Sequence, residues 1–229
     1  MTQTTPQHTI RVDIWSDIAC PWCFIGKRRF EAGVAAFAEA RPDVAVESEY
    51  HSFELAPDTP DNFAGSEIDF LVKHKGMPRE RVEEMLGQMT TMAEAEGLHY
   101  RFDQVQHVNT LRAHRVLHLA KAKGLQHAAV ERLLAAYFEE GRNLASEDEL
   151  VELGAEVGLA EADVRAALQD PATADAVQED ITRARMLGIN GVPFYLLESK
   201  YGISGAQSPE SFVSVFEQVL EREAAEAQG

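Results

Sequence analysis

The run Cys20-Pro21-Trp22-Cys23 constrains this chain more than any other feature, because it holds the only 2 cysteines in the sequence. Residues 10–15, Ile-Arg-Val-Asp-Ile-Trp, alternate and are β-branched enough to predict a strand. From residue 21 to about 40 the apolar positions Phe24, Phe30, Val34 and Phe37 follow a helical pattern. Pro21 suits the first helical position, where its missing N–H costs nothing. The cysteines therefore stand where a strand hands over to a helix. Disulfide exchange needs one thiolate to attack and a second thiol near enough to resolve the mixed disulfide. Cys20, at the positive end of the helix dipole, is the expected nucleophile, with a lowered pKa. Cys23, one turn further in, is the expected resolving thiol. A zinc site wants about four ligands. The chain has no second cysteine pair and no histidine next to this one in sequence, so no metal is expected.

The rest of the chain divides around this opening. Pro42 follows the first helix, and residues 44–53 predict a second strand; 57–62 reads as loop. Residues 63–187 show almost no strand signal and predict helices at 66–75, 78–96, 110–123, 126–142, 147–157, 161–169 and 173–187. Ser146 with Glu149 forms a capping box, Asp170-Pro171 breaks one helix, and Thr173 is expected to cap the next. Gly124, Gly158 and Gly188 stand where helix C-caps belong. The chain then returns to strand at 192–197, with a hairpin partner at 201–204. A final helix starts at Ser208-Pro209-Glu210 and aligns Phe212, Val215, Phe216, Val219 and Leu220. The expected organisation is an α/β domain built from 1–62 and 188–229, interrupted by a helical insertion at 63–187.

Charge narrows the partners. With 21 basic and 38 acidic residues the net charge is −17, which repels nucleic-acid phosphates and anionic membranes, so neither is an expected partner. Residues 1–9 are polar, without a basic start or an apolar core, so no secretory signal is read there and the expected compartment is the cytoplasm. A lasting structural disulfide is not expected in that reducing setting.

Four segments carry a family likeness. They are Ser16-Asp17-Ile18-Ala19-Cys20-Pro21-Trp22-Cys23-Phe24-Ile25-Gly26-Lys27, Phe53-Glu54-Leu55, Asn109-Thr110-Leu111-Arg112-Ala113-His114-Arg115, and Ala184-Arg185-Met186-Leu187-Gly188-Ile189-Asn190-Gly191-Val192-Pro193-Phe194. With Ile203-Ser204-Gly205-Ala206-Gln207-Ser208, they resemble DsbA-family thiol-disulfide oxidoreductases, specifically the FrnE-like subgroup. The resemblance implies a thioredoxin fold with a large all-helical insertion, Cys20 as nucleophile, Cys23 as resolver and Pro193 as a cis-proline. X-Pro bonds are mostly trans, so the tripeptide alone would not imply this. Relatives sharing the insertion include 2-hydroxychromene-2-carboxylate isomerases and kappa-class glutathione transferases, which typically carry serine where Cys20 stands.

Around the pair, Trp22, Val192 and Pro193 are candidate substrate-binding residues, with Phe24 and Phe194 as further apolar rim. Pro21, Asp13 and His114 are candidate modulators. Asp13 lies near where thioredoxins place a buried acid that serves the resolving thiol, with Asp17 as the competing choice. His114 would act by titrating near neutral pH, against the plainer reading of a satisfied helix histidine. Lys27 is expected in solvent, Glu54 is given no catalytic role, and Met85, Met89 and Met92 are read as a core stripe. The functional expectation is a cytoplasmic dithiol-disulfide oxidoreductase or isomerase, acting on protein or small-molecule disulfides and recharged by a cellular thiol reductant. No bound cofactor is expected, although glutathione can serve as co-substrate, and a homodimer through the insertion is open. The alternatives are a glutathione-dependent isomerase or transferase and a holdase-like binding module.

Overall fold

The computed structural model describes residues 8–60, 63 and 65–226. Residues 1–7, 61, 62, 64 and 227–229 lie outside that range, and with them the expected domain boundary at 62.

Strand β1 (His8–Ser16) splits its side chains between two faces, as a period of two requires. Ile10, Val12 and Ile14 enter the main core, whereas Trp15 enters a second, smaller cluster on the opposite face. Helix α1 (Pro21–Ala40) follows, then β2 (Val44–Ser52), which pairs parallel to β1 with Ile14 opposite Tyr50 and Trp15 opposite His51. Next come α2 (Glu67–Asp69), running into a π-helical turn at Phe70–His74, then α3 (Arg79–Ala95) and α4 (Leu111–Ala122). Helices α5 (Gln126–Phe138), α6 (Glu147–Glu156), α7 (Glu161–Gln169) and α8 (Pro171–Met186) complete the helical run. Strands β3 (Phe194–Leu197) and β4 (Tyr201–Ser204) and helix α9 (Pro209–Glu226) close the chain. The sheet order is β2-β1-β3-β4, with β3 antiparallel to β1 and β4 antiparallel to β3.

Helices α1 and α9 cover one face through Phe30, Phe37, Phe212 and Phe216; Phe30 meets Phe212 edge-on at 5.4 Å between centroids. Gly33 permits that approach, since a Cβ there would lie 2.9 Å from the Cβ of Phe212. On the other face, Ala184 of α8 packs with Trp15, Ile189 and Leu196. Trp15 stacks on His51 at 4.8 Å and donates its indole N–H to the Asp180 carbonyl at 3.1 Å.

The intervening helices grip this sheet by polar side chains as well as by packing. Gln126 behaves like an extra strand at the β2 edge: its side chain accepts from the Tyr50 amide at 3.0 Å and donates to the Tyr50 carbonyl at 2.8 Å. A buried amide left unpaired there would cost about 1–3 kcal/mol. Lys27, expected in solvent, is instead 4% exposed and paired with Glu31 at 2.6 Å and Glu131 at 2.7 Å, so it ties α1 to α5. Three helix boundaries also differ from expectation. Helix α5 stops at Phe138, and Gly141 then turns the chain with φ 64°. Asp170 rather than Thr173 caps α8, accepting from the Ala172 amide with Pro171 in the first turn. The segment expected as one helix at 66–75 instead switches to π geometry at Phe70.

Candidate active site

Cys20 is the residue just before α1, in extended geometry (φ −95°, ψ 109°), and Pro21 occupies the first turn. Both cysteines are free thiols and both are buried, Cys20 at 2% and Cys23 at 3% exposure. The Cys23 amide donates to the Cys20 carbonyl at 2.9 Å, which fixes the tight turn between them. The Cys20 thiol donates to the Val192 carbonyl at 3.4 Å. The Val192–Pro193 peptide is cis. Residues 172 apart in sequence thus meet at one sulfur.

What lets Pro193 sit there is Gly26. A Cβ on Gly26 would lie 2.8 Å from Pro193 Cγ and 2.7 Å from the Tyr195 hydroxyl, so α1 reaches the proline only because position 26 has no side chain. Gly205 donates its amide to the Pro193 carbonyl at 2.8 Å and holds the loop from the other side. Tyr100, between α3 and α4, donates its hydroxyl to the Pro21 carbonyl at 2.6 Å and pins the first turn of α1. Trp22 is half-buried and packs against the main core.

Asp17 lies just before the cysteines, 2% exposed. It accepts from the Leu55 amide at 2.7 Å, the Thr110 hydroxyl at 2.7 Å and His114 Nε2 at 3.3 Å. Burial opposes its charge, but the bonds from His114, Leu55 and Thr110 prevail and hold it below the usual carboxylate range. Cys20 moves the other way. The neighbouring Cys23 thiol, burial and the negative charge of Asp17 push the Cys20 thiol well above its ordinary value. The lowered pKa expected from the helix terminus is therefore reversed in the resting site.

The modulators separate. His114 reaches the cysteines through Asp17, and its other ring nitrogen, Nδ1, is buried with no hydrogen-bond partner among the described residues. Asp13 lies on the opposite face of β1, bonded to His51 at 2.9 Å and to Arg183 at 2.6 Å, and does not join the cysteine site. Asp17 is the acid beside the pair. Asp13, Glu49 and His51 bring ligand-type atoms within 4.8 Å of one another. Arg183 already pairs with Asp13 and Lys121 with Glu49, so these groups form an ion-pair network. Glu54 sits near the site, and burial followed by the Asp17 charge raises its pKa. Of the methionines, Met89 is core and Met85 is exposed at 36%.

Sequence reasoning missed Thr110, Tyr100 and the Leu55 amide as parts of the site. Thr110 and Leu55 do lie in segments singled out by the family likeness. Asn109, also in that segment, accepts from the Leu111 amide at 3.0 Å in the turn that leads into α4.

Residues 11–217 match the description of a DSBA-like thioredoxin domain. The chain belongs to that family. The probable DsbA oxidoreductase SCO1869 of Streptomyces coelicolor is 40% identical, with a TM-score of 0.85 over 93% of this chain and 90% of its own. The YwbO protein of Bacillus subtilis (strain 168) is 29% identical over 208 residues, which is 89% of this chain and 94% of that protein. The cytosolic disulfide reductase DsbM of Pseudomonas aeruginosa, solved with GSH, shares the fold at 20% identity and TM-score 0.63, over 92% of this chain and 99% of its own. As a DsbA-like protein, the chain is a thiol-disulfide oxidoreductase with a thioredoxin fold and a helical insertion. Among the described residues no helix is long and apolar enough to cross a membrane.

Proposed function

We propose that this DsbA-like protein works as a cytoplasmic dithiol reductase or isomerase, through Cys20 as nucleophile and Cys23 as resolver. The observation that carries this reading is the contact between the Cys20 thiol and the carbonyl preceding the cis-proline, at 3.4 Å. An extended substrate that offers an N–H to the Val192 carbonyl displaces the thiol from it and lays its disulfide against Cys20. Trp22, Val192 and Pro193 form the apolar contact for the chain on either side. Cys20 loses its proton and attacks one substrate sulfur; a new S–S bond forms and the other sulfur leaves as a thiolate that takes up a proton. Cys23 then attacks the Cys20 sulfur, forming the internal disulfide and releasing the second substrate thiol. Substrate is reduced by two electrons and the enzyme oxidised by two; two molecules of a cellular thiol reverse the change and leave as a disulfide.

The resting chemistry supports this direction. A family member with a stabilised thiolate favours its reduced form and acts as an oxidant. Here Cys23, burial and Asp17 disfavour the Cys20 thiolate, which supports the reducing or isomerising direction. Glutathione as the recharging thiol is supported by the GSH in the DsbM structure. Protein disulfides and small-molecule disulfides both fit as substrates.

Insulin reduction with glutathione or dithiothreitol as reductant tests the reading. Cys20→Ser abolishes turnover, and Cys23→Ser accumulates a mixed disulfide with substrate. Retained disulfide reduction by Cys20→Ser overturns the assignment.

A further inference from the structure

At the C-terminal end of β2, beneath α4 and α5, lies a small cavity with about 10 Å³ of space open to the centre of a water molecule. One bound water needs roughly 10–15 Å³ by that measure, and two to four polar partners. The cavity is lined by Ser16, His51, Ser52, His114, His118 and Gln126, with an apolar remainder that includes Val130. His114 is 1% exposed, and its Nδ1 is one of two buried side-chain polar atoms left without a partner among the described residues. An orphaned ring nitrogen costs about 1–3 kcal/mol, and a cavity that His114 itself lines, together with Ser52 and His118, is a place for its missing partner.

A bonded chain leads from the same cavity to the surface. Ser52 Oγ contacts His118 Nε2 at 3.2 Å, and His118 Nε2 lies 3.1 Å from Asp180 Oδ2. Asp180 Oδ1 meets His51 Nδ1 at 2.9 Å, and His51 Nε2 meets Asp13 Oδ1 at 2.9 Å. Asp13 is 24% exposed and reaches solvent. Glu49 of β2, Lys121 of α4 and Arg183 of α8 are the other charged groups at that outer end. At the inner end, Asp17 and Glu54 act on the site, with Arg185 nearby.

We propose that one water occupies this cavity and joins His114 to Ser52 and His118, so that the ring is held in the orientation that keeps its Nε2 on Asp17, 3.3 Å away. A ring without that partner turns or shifts, its bond to Asp17 weakens, and a carboxylate less firmly held opposes the Cys20 thiolate more strongly. His114, Ser52 and His118 are positioning residues in this scheme.

The inference rests on Cys20 being the thiol that ionises, and its test has a part that does not. A high-resolution crystal structure of the reduced protein shows one ordered water within about 3.2 Å of His114 Nδ1. A dry cavity overturns the proposal whatever Cys20 does. The second part is the pH profile of Cys20 alkylation in wild type, Val130→Leu, which fills the cavity, and Val130→Ala, which enlarges it. Val130→Leu raises the midpoint by about one pH unit and slows alkylation at neutral pH by about tenfold, while Val130→Ala keeps the wild-type midpoint. A merely structural role for the cavity would move both variants or neither, and either result overturns the coupling. Cys20→Ser run alongside identifies the alkylated thiol, so failure of the nucleophile assignment is seen separately.

Discussion

Two opposing fields meet at Cys20. Its place before the first turn of α1 favours a thiolate by about 0.3–2 kcal/mol, but the sulfur is 2% exposed and lies beside Cys23 and the Asp17 carboxylate. The Cys23 thiol, desolvation and like charge together outweigh the dipole, and the thiol stays protonated on the Val192 carbonyl. Removing the carboxylate tests which influence dominates. Asp17→Asn is expected to lower the midpoint of Cys20 alkylation and to speed it at pH 7 by about tenfold. The same change weakens bonds to Leu55, Thr110 and His114 and costs about 1–3 kcal/mol of stability, readable by chemical denaturation. An unmoved midpoint would show that Asp17 does not set the thiol. A lowered midpoint also stabilises the reduced enzyme and makes the variant more oxidising.

Between elements, the decisive distance is that from α1 to the cis-proline loop, and Gly26 controls it. Gly26→Ala forces a methyl group against Pro193 and Tyr195, and overpacking of this kind costs about 1–3 kcal/mol. Gly33 offers the matched comparison, because a Cβ there presses on Phe212 and the Pro209 carbonyl of α9, away from the cysteines. Both alanine variants are expected to lower the melting temperature. Only Gly26→Ala is expected to reduce insulin-reduction turnover as well, in an assay run well below both melting points. Equal activity in the two variants would mean that Pro193 does not have to touch α1. The element scale also explains why Lys27 misled: a lysine in a helix reads as solvated until two glutamates from different helices close over it.

For the whole molecule, the network between the sheet and α8 makes stability depend on pH from both sides. Burial disfavours a charged His51, but its bonds to Asp13 and Asp180 prevail and push it up to about 9 from 6.5. A raised histidine pKa stabilises the fold fully below pH 6.5, and that contribution is lost as pH rises through about 9. The gap corresponds to on the order of 3 kcal/mol. Urea unfolding at pH 6 and pH 9.5 checks this, and His51→Gln should flatten the difference. If wild type is equally stable at both values, the network is not holding a charged ring. At the acid end, Asp13, Asp17 and Asp180 all lie below the ordinary 3.8, so their contribution is present above that value and is lost as pH falls beneath it.

How much of this could be read from the residues alone depended on how local the cause was. The strand before Cys20, the helix opening at Pro21, the capping box at Ser146 and the glycines with φ 71°, 94° and 73° at Gly124, Gly158 and Gly188 were all legible, because each follows from a few neighbouring side chains. The cysteine pair and the distant Val192-Pro193 were legible too, the second through family likeness. Other features depended on which face of a strand or helix met which partner. Asp13 and Asp17 are four positions apart, yet the pleat sends one toward α8 while the loop turns the other under Cys20. The sign of the Cys20 shift was likewise out of reach, since a four-residue pattern shows the helix terminus but not the burial and the carboxylate that overrule it. Cys20-Pro21-Trp22-Cys23 by itself determined that thiol chemistry could happen at this junction. Only the folded chain, by packing Asp17, Val192 and Gly26 around one sulfur, decided that the sulfur rests as a thiol.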